Sequence, residues 1–171
     1  VGGFLNHRID VPFLFSMASE VADYFKNDGV TLIMTVEASG IAFATAVAYY
    51  MNLPVLFAKK SKTSNVSSSV YSAPVHSYTH GSDYNMVVEK DFIANTDKVL
   101  VLDDFLANGC AVEGLIKIIN AAGAKLAGVG IEIEKGFQKG GDKLREQGVK
   151  LLSLAIVDEM TEDGKITFRQ Q

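Results

Sequence analysis

The amino-acid sequence predicts an α/β fold with a largely parallel central sheet. Short apolar runs alternate with segments of helical periodicity along most of the chain, as expected for strands that are joined by helices. The clearest unit is the apolar run 99–102, which leads into Asp103 and Asp104, a short loop and a helical segment. The runs 70–78 and 84–88 flank a polar turn and predict one antiparallel hairpin.

The first third of the chain predicts two helices and two strands. Asp10 and Pro12 are typical of a helix start, and a buried strand is predicted at 31–36. An alanine-rich helix follows the turn at 37–40 and ends near residue 50, before a strand at 55–58. The apolar face of the first helix is predicted to consist of Phe13, Met17, Val21, Tyr24 and Phe25.

The rest of the chain continues this alternation. Residues 59–69 are polar and predict a loop, which has the character of a mobile lid. Strands are predicted at 126–133, 149–155 and 166–168, with a helix near 142–147. Gly128 and Gly130 lie inside a strand and open no helix, so we interpret them as positions of close packing.

Composition limits the class of protein. The chain has 171 residues, of which 48% are hydrophobic, and no linker divides it, so we expect one domain over residues 1–171. The net charge of −4 lacks the positive field of a nonspecific nucleic-acid binder. A single cysteine fits the cytoplasm, and no apolar run predicts a membrane span. Because the chain starts at Val1, directly at a motif, we expect further residues to precede it.

The acidic pair and the loop after it point to one kind of ligand. A helix N-terminus offers unpaired N–H groups and a positive dipole end to a phosphate. Asp103 and Asp104 lie just before such a helix and would repel a phosphate. They must therefore serve another part of the ligand, such as vicinal hydroxyls or a bridging cation. A sugar phosphate meets both requirements.

This segment resembles the signature of the type I phosphoribosyltransferases. In most of that family the loop carries threonines, whereas here it reads Ala107-Asn108-Gly109-Cys110-Ala111 and lacks the hydroxyl donors. This form of the loop resembles the xanthine-specific branch, and the resemblance extends from end to end, through 4–10, 37–42, 70–72 and 133–138. It implies a mostly parallel sheet flanked by helices, with a flexible lid hairpin and a small hood.

The resemblance assigns most of the site to phosphoribosyl pyrophosphate (PRPP). In the family the acidic pair holds the ribose hydroxyls, the loop after it holds the 5′-phosphate, and an earlier loop faces the pyrophosphate. Mg²⁺ is held mainly by PRPP and water. The resemblance implies catalytic roles for Asp103, Asp104 and Tyr71, and PRPP binding by Ala107, Asn108, Gly109, Cys110, Ala111, Glu37, Ala38, Ser39, Gly40, Lys59 and Lys60.

Two of these assignments have ordinary alternatives. On spacing alone, Glu37 to Gly40 is typical of a strand-to-helix connection with Ser39 as N-cap. Lys59, Lys60 and Lys62 are typical of a solvated loop. Pyrophosphate loops of this kind often contain a non-proline cis peptide, so we predict one within residues 37–39.

The resemblance also implies the acceptor. Asn6, Lys135 and Phe137 match purine-binding positions, where an ammonium donates to a 6-oxo group and a ring stacks on the base. The implied reaction transfers the 5-phosphoribosyl group to N9 of xanthine, giving xanthosine 5′-monophosphate (XMP) and pyrophosphate in purine salvage. Guanine or hypoxanthine as the acceptor, and a noncatalytic PRPP-binding regulator of the same fold, remain alternatives. A homodimer is implied as well.

Overall fold

The structure is a computed structural model that describes residues 2–61, 68–77, 82–161 and 163–170. It contains four α-helices in these ranges: α1 (Val11–Phe25), α2 (Gly40–Met51), α3 (Cys110–Ala121) and α4 (Gly140–Glu146). The strands in the same ranges are β1 (Leu32–Val36), β2 (Val55–Ser61), β3 (Val70–Ser77), β4 (Ser82–Glu89), β5 (Lys98–Leu106), β6 (Lys125–Lys135), β7 (Leu151–Met160) and β8 (Ile166–Phe168).

The strands form one eight-stranded sheet in the order β3-β4-β2-β1-β5-β6-β7-β8. The five central strands, in the order β2-β1-β5-β6-β7, are parallel to one another. The hairpin β3–β4 and the short β8 are added antiparallel at the two edges. The predicted α/β fold with a mostly parallel sheet is confirmed.

The sheet is buried between two layers. Helices α1 and α2 pack on one face with Ile33, Leu100 and Leu102, while α3 packs on the other face with Val99 and Val101. Because side chains alternate along a strand, β5 sends its apolar residues to both layers, as expected for a central parallel strand. The end of β5 therefore lies at the centre of the sheet's carboxyl edge.

Helix α1 begins as predicted but presents a different face to the core. The Asp10 side chain accepts a hydrogen bond from the Phe13 backbone N–H, at 3.2 Å. Phe13 and Tyr24 of the predicted face are exposed, so that prediction is partly wrong. The helix is rotated so that small residues face inward, which allows a close approach to its neighbours. Its buried residues are Leu14, Ala18, Val21, Ala22 and Phe25.

Close packing at the two strand glycines is confirmed. A Cβ on Gly128 would lie 2.5 Å from Cε1 of Phe25, and a Cβ on Gly130 would lie 2.7 Å from Cδ2 of Leu102. The absence of side chains at these positions lets α1 lie directly on β6.

Several strands continue further than their sequence pattern predicted, and three of these extensions lie at the candidate site. Strand β2 runs to Ser61, β5 runs through the acidic pair to Leu106, and β6 includes Lys135. The extension of β5 follows from its pairing with β6, which matches Asp103 with Ile131 and Phe105 with Ile133. The acidic pair is therefore held inside a strand rather than in the loop after it.

The base of the predicted lid hairpin is part of the core. Ala73 and Val75 of β3 and Met86 and Val88 of β4 are all buried. Residues 62–67, which include Lys62, and the hairpin tip 78–81 lie outside the described residues, so the predicted lid motion stays a prediction. Within the described ranges, no helix is long and apolar enough to cross a membrane.

Candidate active site

The carboxyl ends of four neighbouring strands bring most of the predicted site residues to one edge of the sheet. These ends carry the turn 37–40 after β1, Lys60 on β2, the acidic pair on β5 and Lys135 on β6. Ligands of open parallel sheets bind at this edge.

The acidic pair is almost completely buried. Asp103 is 6% exposed and Asp104 is 7% exposed. The Asp104 backbone N–H donates to Oδ1 of Asp103 at 3.1 Å, which fixes that carboxyl. Burial, followed by repulsion from Asp104, raises the pKa of Asp103 well above its ordinary value. Two fixed carboxyl groups of this kind can accept hydrogen bonds from adjacent hydroxyl groups on a ligand.

The loop after β5 presents backbone rather than hydroxyl donors. Gly109 has a φ of 89°, a left-handed conformation that glycine adopts without strain, and it leads directly into α3. The Cys110 backbone N–H donates to Oδ1 of Asn108 at 3.3 Å. With Ala107 and Ala111 on either side, the loop depends on backbone N–H groups and on the helix N-terminus to bind an anion.

The turn after β1 approaches the acidic pair closely. The Glu37–Ala38 peptide bond is cis, as predicted. Ser39 occupies the N-cap position of α2, as the strand-to-helix alternative predicted, but its side chain makes no capping hydrogen bond. A Cβ on Gly40 would lie 2.9 Å from Oδ1 of Asp103, so glycine allows this turn to lie close to β5.

Lys60 joins this turn to the acidic pair. Its backbone N–H donates to Oε1 of Glu37 at 2.6 Å. Its positive charge lowers the pKa of Asp103, opposing the effect of burial. Lys59 lies on the alternate face of β2, where it lines a groove with Phe57 and Phe92.

Sequence reasoning missed Tyr84. The Lys60 Nζ lies 5.5 Å from the centroid of the Tyr84 ring. Burial, followed by the charge of Asp103, raises the pKa of the Tyr84 hydroxyl. Alternation along β4 places Tyr84 on the same face as the buried Met86, and that signal could have found it.

Tyr71 occupies a different part of the hairpin. It pairs with Val88 in the β3–β4 ladder. The Lys90 Nζ lies 5.3 Å from the centroid of the Tyr71 ring. Its predicted catalytic role stays a prediction.

The three predicted purine-binding residues lie on separate elements. Lys135 is the last residue of β6, and its Nζ lies 5.4 Å from the centroid of the Phe105 ring. Phe137 lies in the following turn, Gly136–Gln138, and is 45% exposed, which leaves its ring accessible to a flat ligand. Asn6 ends the short helical turn Gly2–Asn6 near the start of the chain.

Two buried polar atoms flank the acidic pair. Oγ1 of Thr35 on β1 and Oε1 of Glu132 on β6 have no hydrogen-bond partner within the described part of the chain. Both strands are direct neighbours of β5. Burial, followed by the charge of Asp104, raises the pKa of Glu132 to about 8. Glu132 is therefore protonated at neutral pH and can act as a hydrogen-bond donor.

No group of three or more histidine, cysteine, aspartate or glutamate side chains in the described ranges is arranged to hold a metal ion. Magnesium in phosphate-binding enzymes is commonly carried by substrate phosphates with water and few protein ligands.

The comparisons with known proteins agree with this geometry. The model of the phosphoribosyl transferase domain family matches residues 15–153. A protein named xanthine phosphoribosyltransferase from Lachnoclostridium phytofermentans is 47% identical over 170 residues, covering 99% of this chain and 88% of that protein. One of the same name from Heliobacterium modesticaldum is 49% identical over 168 residues, covering 98% of this chain and 88% of that protein.

Solved structures show the same fold. An adenine phosphoribosyltransferase from Giardia lamblia in complex with 9-deazaadenine has a TM-score of 0.75 at 21% identity, covering 86% of this chain and 80% of that one. The enzyme from Thermoanaerobacter pseudethanolicus has a TM-score of 0.73 at 22% identity, covering 86% of this chain and 81% of that one. The family match, the relatives and the shared fold together show that this chain belongs to the phosphoribosyl transferase family.

Proposed function

We propose that the protein transfers the 5-phosphoribosyl group of PRPP to N9 of xanthine, giving XMP and pyrophosphate. The bond from ribose C1′ to the pyrophosphate oxygen breaks, the bond from C1′ to N9 forms, and N9 loses its proton. The relatives that match nearly the whole chain carry the name xanthine phosphoribosyltransferase, which supports xanthine as the acceptor.

The ribose and the 5′-phosphate are bound by β5 and the loop after it. Asp103 and Asp104 accept hydrogen bonds from the ribose 2′ and 3′ hydroxyls, and they stabilise positive charge on the sugar in the transition state. Backbone N–H groups of residues 107–111 and the α3 dipole bind the 5′-phosphate.

The leaving pyrophosphate is bound on the other side of the acidic pair. The backbone of residues 37–40 faces it, and Lys60 supplies a positive charge, with a smaller contribution from Lys59. When bound with PRPP and water, Mg²⁺ would supply positive charge to the pyrophosphate group. Tyr71, at the base of the hairpin, is proposed to support closure over this side, which would exclude water from the reacting ribose.

The purine is bound by the end of β6 and the turn after it. Lys135 donates to the 6-oxo group, and adenine, which has a donor at that position, is disfavoured. Phe137 stacks on the base. Asn6 donates to the 2-oxo group; because an amide can also accept from a 2-amino group, this residue does not separate xanthine from guanine.

The observation that carries the proposal is the buried acidic pair beside the α3 N-terminus, in a chain with these relatives. The test measures pyrophosphate release with PRPP, Mg²⁺ and each of xanthine, guanine, hypoxanthine and adenine. We expect xanthine to give the highest kcat/KM. A higher kcat/KM for guanine or hypoxanthine would reassign the acceptor. No release of pyrophosphate with any purine would refute the proposed transferase activity.

We further propose that residues 1–171 form one domain that acts in the cytoplasm as a homodimer. Tyr49, Tyr50 and Phe57 are exposed large side chains on α2 and β2, and surface of this kind is often covered by a second subunit. Light scattering at micromolar concentration should give twice the mass of the chain. A monomeric mass would refute the dimer.

A further inference from the structure

Helix α4 contacts residues 107–111, the loop after β5 that is proposed to bind the 5′-phosphate and is here called the phosphate loop. The Gly140 backbone N–H donates to the carbonyl oxygen of Ala107 at 3.1 Å. A Cβ on Gly140 would lie 2.3 Å from that oxygen and 2.7 Å from the Gly109 nitrogen. The position of α4 therefore determines where the phosphate loop lies.

An ion pair between the half-buried Arg145 and the buried Glu134 holds α4 in this position. The Arg145 guanidinium donates two hydrogen bonds to the Glu134 carboxylate, at 2.9 and 2.7 Å. The Ser153 hydroxyl donates to the same carboxylate at 2.5 Å, and Glu134 is 0% exposed. A Cβ on Gly141 would lie 2.0 Å from Oε1 of Glu134, so the first turn of α4 rests on this carboxylate as well.

A second arginine, near the end of the chain, holds the turn that carries Phe137. Arg169 donates to Oδ1 of Asp158 at 2.7 Å, and it also donates to Oδ1 of Asp142 on α4 at 2.8 Å, so it has a secondary contact with that helix. A Cβ on Gly136 would lie 2.5 Å from that Asp158 oxygen and 3.0 Å from Nη2 of Arg169. The Arg169–Asp158 pair therefore packs directly against the turn that follows Lys135.

We propose that Arg145 and Arg169 are positioning residues for different substrates: Arg145, through α4, holds the loop that binds the 5′-phosphate of PRPP, and Arg169 holds the turn that binds the purine. The identity of the two ligands rests on the proposed function. Each arginine acts through the backbone that it holds.

The planar guanidinium explains why arginine is needed at both positions. It forms two parallel hydrogen bonds to a carboxylate, whereas lysine keeps the charge but not this geometry. Replacement by lysine therefore loosens the backbone without leaving a buried carboxylate uncompensated. A displacement of about 1 Å in a binding site can reduce a rate by about a hundredfold, so a measurable effect is expected.

The test compares Arg145→Lys with Arg169→Lys in steady-state kinetics with PRPP, Mg²⁺ and xanthine. We expect Arg145→Lys to raise KM for PRPP about tenfold and to leave KM for xanthine within about twofold. We expect Arg169→Lys to raise KM for xanthine about tenfold and KM for PRPP by less than about threefold, because only its bond to Asp142 reaches α4. The control is Lys150→Met, which breaks the 2.6 Å ion pair with Asp28 away from both loops and should leave both KM values unchanged.

General loss of stability would not produce this reciprocal pattern. The proposal is overturned if both variants change both KM values alike, or if only their melting temperatures move. If Arg145→Lys does not fold, Ser153→Ala removes one bond from Glu134 and should raise KM for PRPP about threefold, with KM for xanthine unchanged. An unchanged KM for PRPP in that variant would overturn the role of Arg145.

Binding of ribose 5-phosphate, measured by calorimetry, tests the arrangement without turnover. Arg145→Lys should weaken it about tenfold, and Arg169→Lys should weaken it by less than about threefold. A wild-type protein that binds ribose 5-phosphate but uses no purine would refute the proposed function and leave the role of Arg145 to be decided by this measurement. Failure of the wild type to bind ribose 5-phosphate would overturn both the proposed function and the positioning role of Arg145.

Discussion

The two sides of the proposed site, one assigned to the ribose and one to the purine, are constructed differently. On the ribose side, Asp103 and Asp104 lie in the most central strand of the edge, almost fully buried, and the loop to α3 follows within a few residues. On the purine side, Lys135 and Phe137 lie at the end of β6 and in an exposed turn, and the contacts that hold this turn come from Asp158 and Arg169.

The two sides differ in whether their residues come from one continuous segment or from distant parts of the chain. The ribose side is one continuous strand, loop and helix, so its chemistry can be recognised in a short stretch of sequence. The purine side depends on residues more than twenty positions apart, and its shape is determined by ion pairs at the molecular surface. We expect mutations on the ribose side to have the larger effects, because its groups are buried and preorganised.

The strongest test of the ribose side is Asp103→Asn or Asp104→Asn. Each change removes a charge-assisted hydrogen bond to the ribose in the transition state, so kcat/KM for PRPP should fall about a hundredfold while the protein remains folded. Steady-state kinetics and circular dichroism measure the two outcomes. The exposed Asp91→Asn is the matched control and should have no effect. Wild-type turnover in both site variants would remove the acidic pair from the mechanism.

On the purine side, Lys135→Met removes the ammonium and keeps most of the side-chain volume. The 6-oxo group would lose its donor, which costs about 1–3 kcal/mol, or roughly one to two decades in kcat/KM for xanthine. Binding of PRPP should change little. Lys125→Met, at the other end of the same strand, is the control. Weaker PRPP use with normal use of xanthine would mean that Lys135 belongs to the pyrophosphate side.

Lys59 and Lys60 of β2 test whether binding of the leaving pyrophosphate depends on which face of the strand carries the lysine. Lys60→Gln should reduce kcat/KM for PRPP about tenfold, because it removes the positive charge that acts on Asp103 and keeps the backbone hydrogen bond to Glu37. Lys59→Gln should change it less than about threefold, since that side chain lies on the alternate face of β2. Equal losses in the two variants would show that the face of the strand does not matter.

Replacement of Glu132 is expected to have a smaller effect, and on the free energy of unfolding rather than on the rate. Its pKa is raised from 4.5 in the ordinary state to about 8 in the folded protein, so between these values the unfolded chain loses the proton and the folded protein keeps it. Stability from this group therefore falls as pH rises from about 4.5 to about 8. Glu132→Gln should be more stable than wild type at pH 8 by about 1–3 kcal/mol, with little difference at pH 5.

Urea unfolding at the two pH values measures this difference. The neutral variant keeps the size of the side chain, so packing should be preserved. An identical pH dependence in both proteins would show that Glu132 is not protonated beside Asp104.

The sequence by itself determined the parts of this protein whose physics is local. Alternating strands and helices predicted the parallel sheet, because hydrophobic periodicity follows directly from the geometry of each element. The acidic pair, the glycine before α3 and the cis peptide after β1 were also predicted, since each lies within one strand, one turn or one helix start. The bounds of β5 were less accurate, because its ladder with β6 extends the strand through the acidic pair.

Only the tertiary structure decided which distant groups complete the site. The charge of Asp103 acts on Tyr84 because the hairpin joins the sheet beside β2, and Arg145 of α4 bonds to Glu134 because that carboxylate is buried on β6 beneath the helix. Arg169 reaches the purine turn because β8 folds back along β7. These contacts join elements that are far apart in the chain, and a sequence pattern does not specify which side chains meet across a sheet until strand order and register are known.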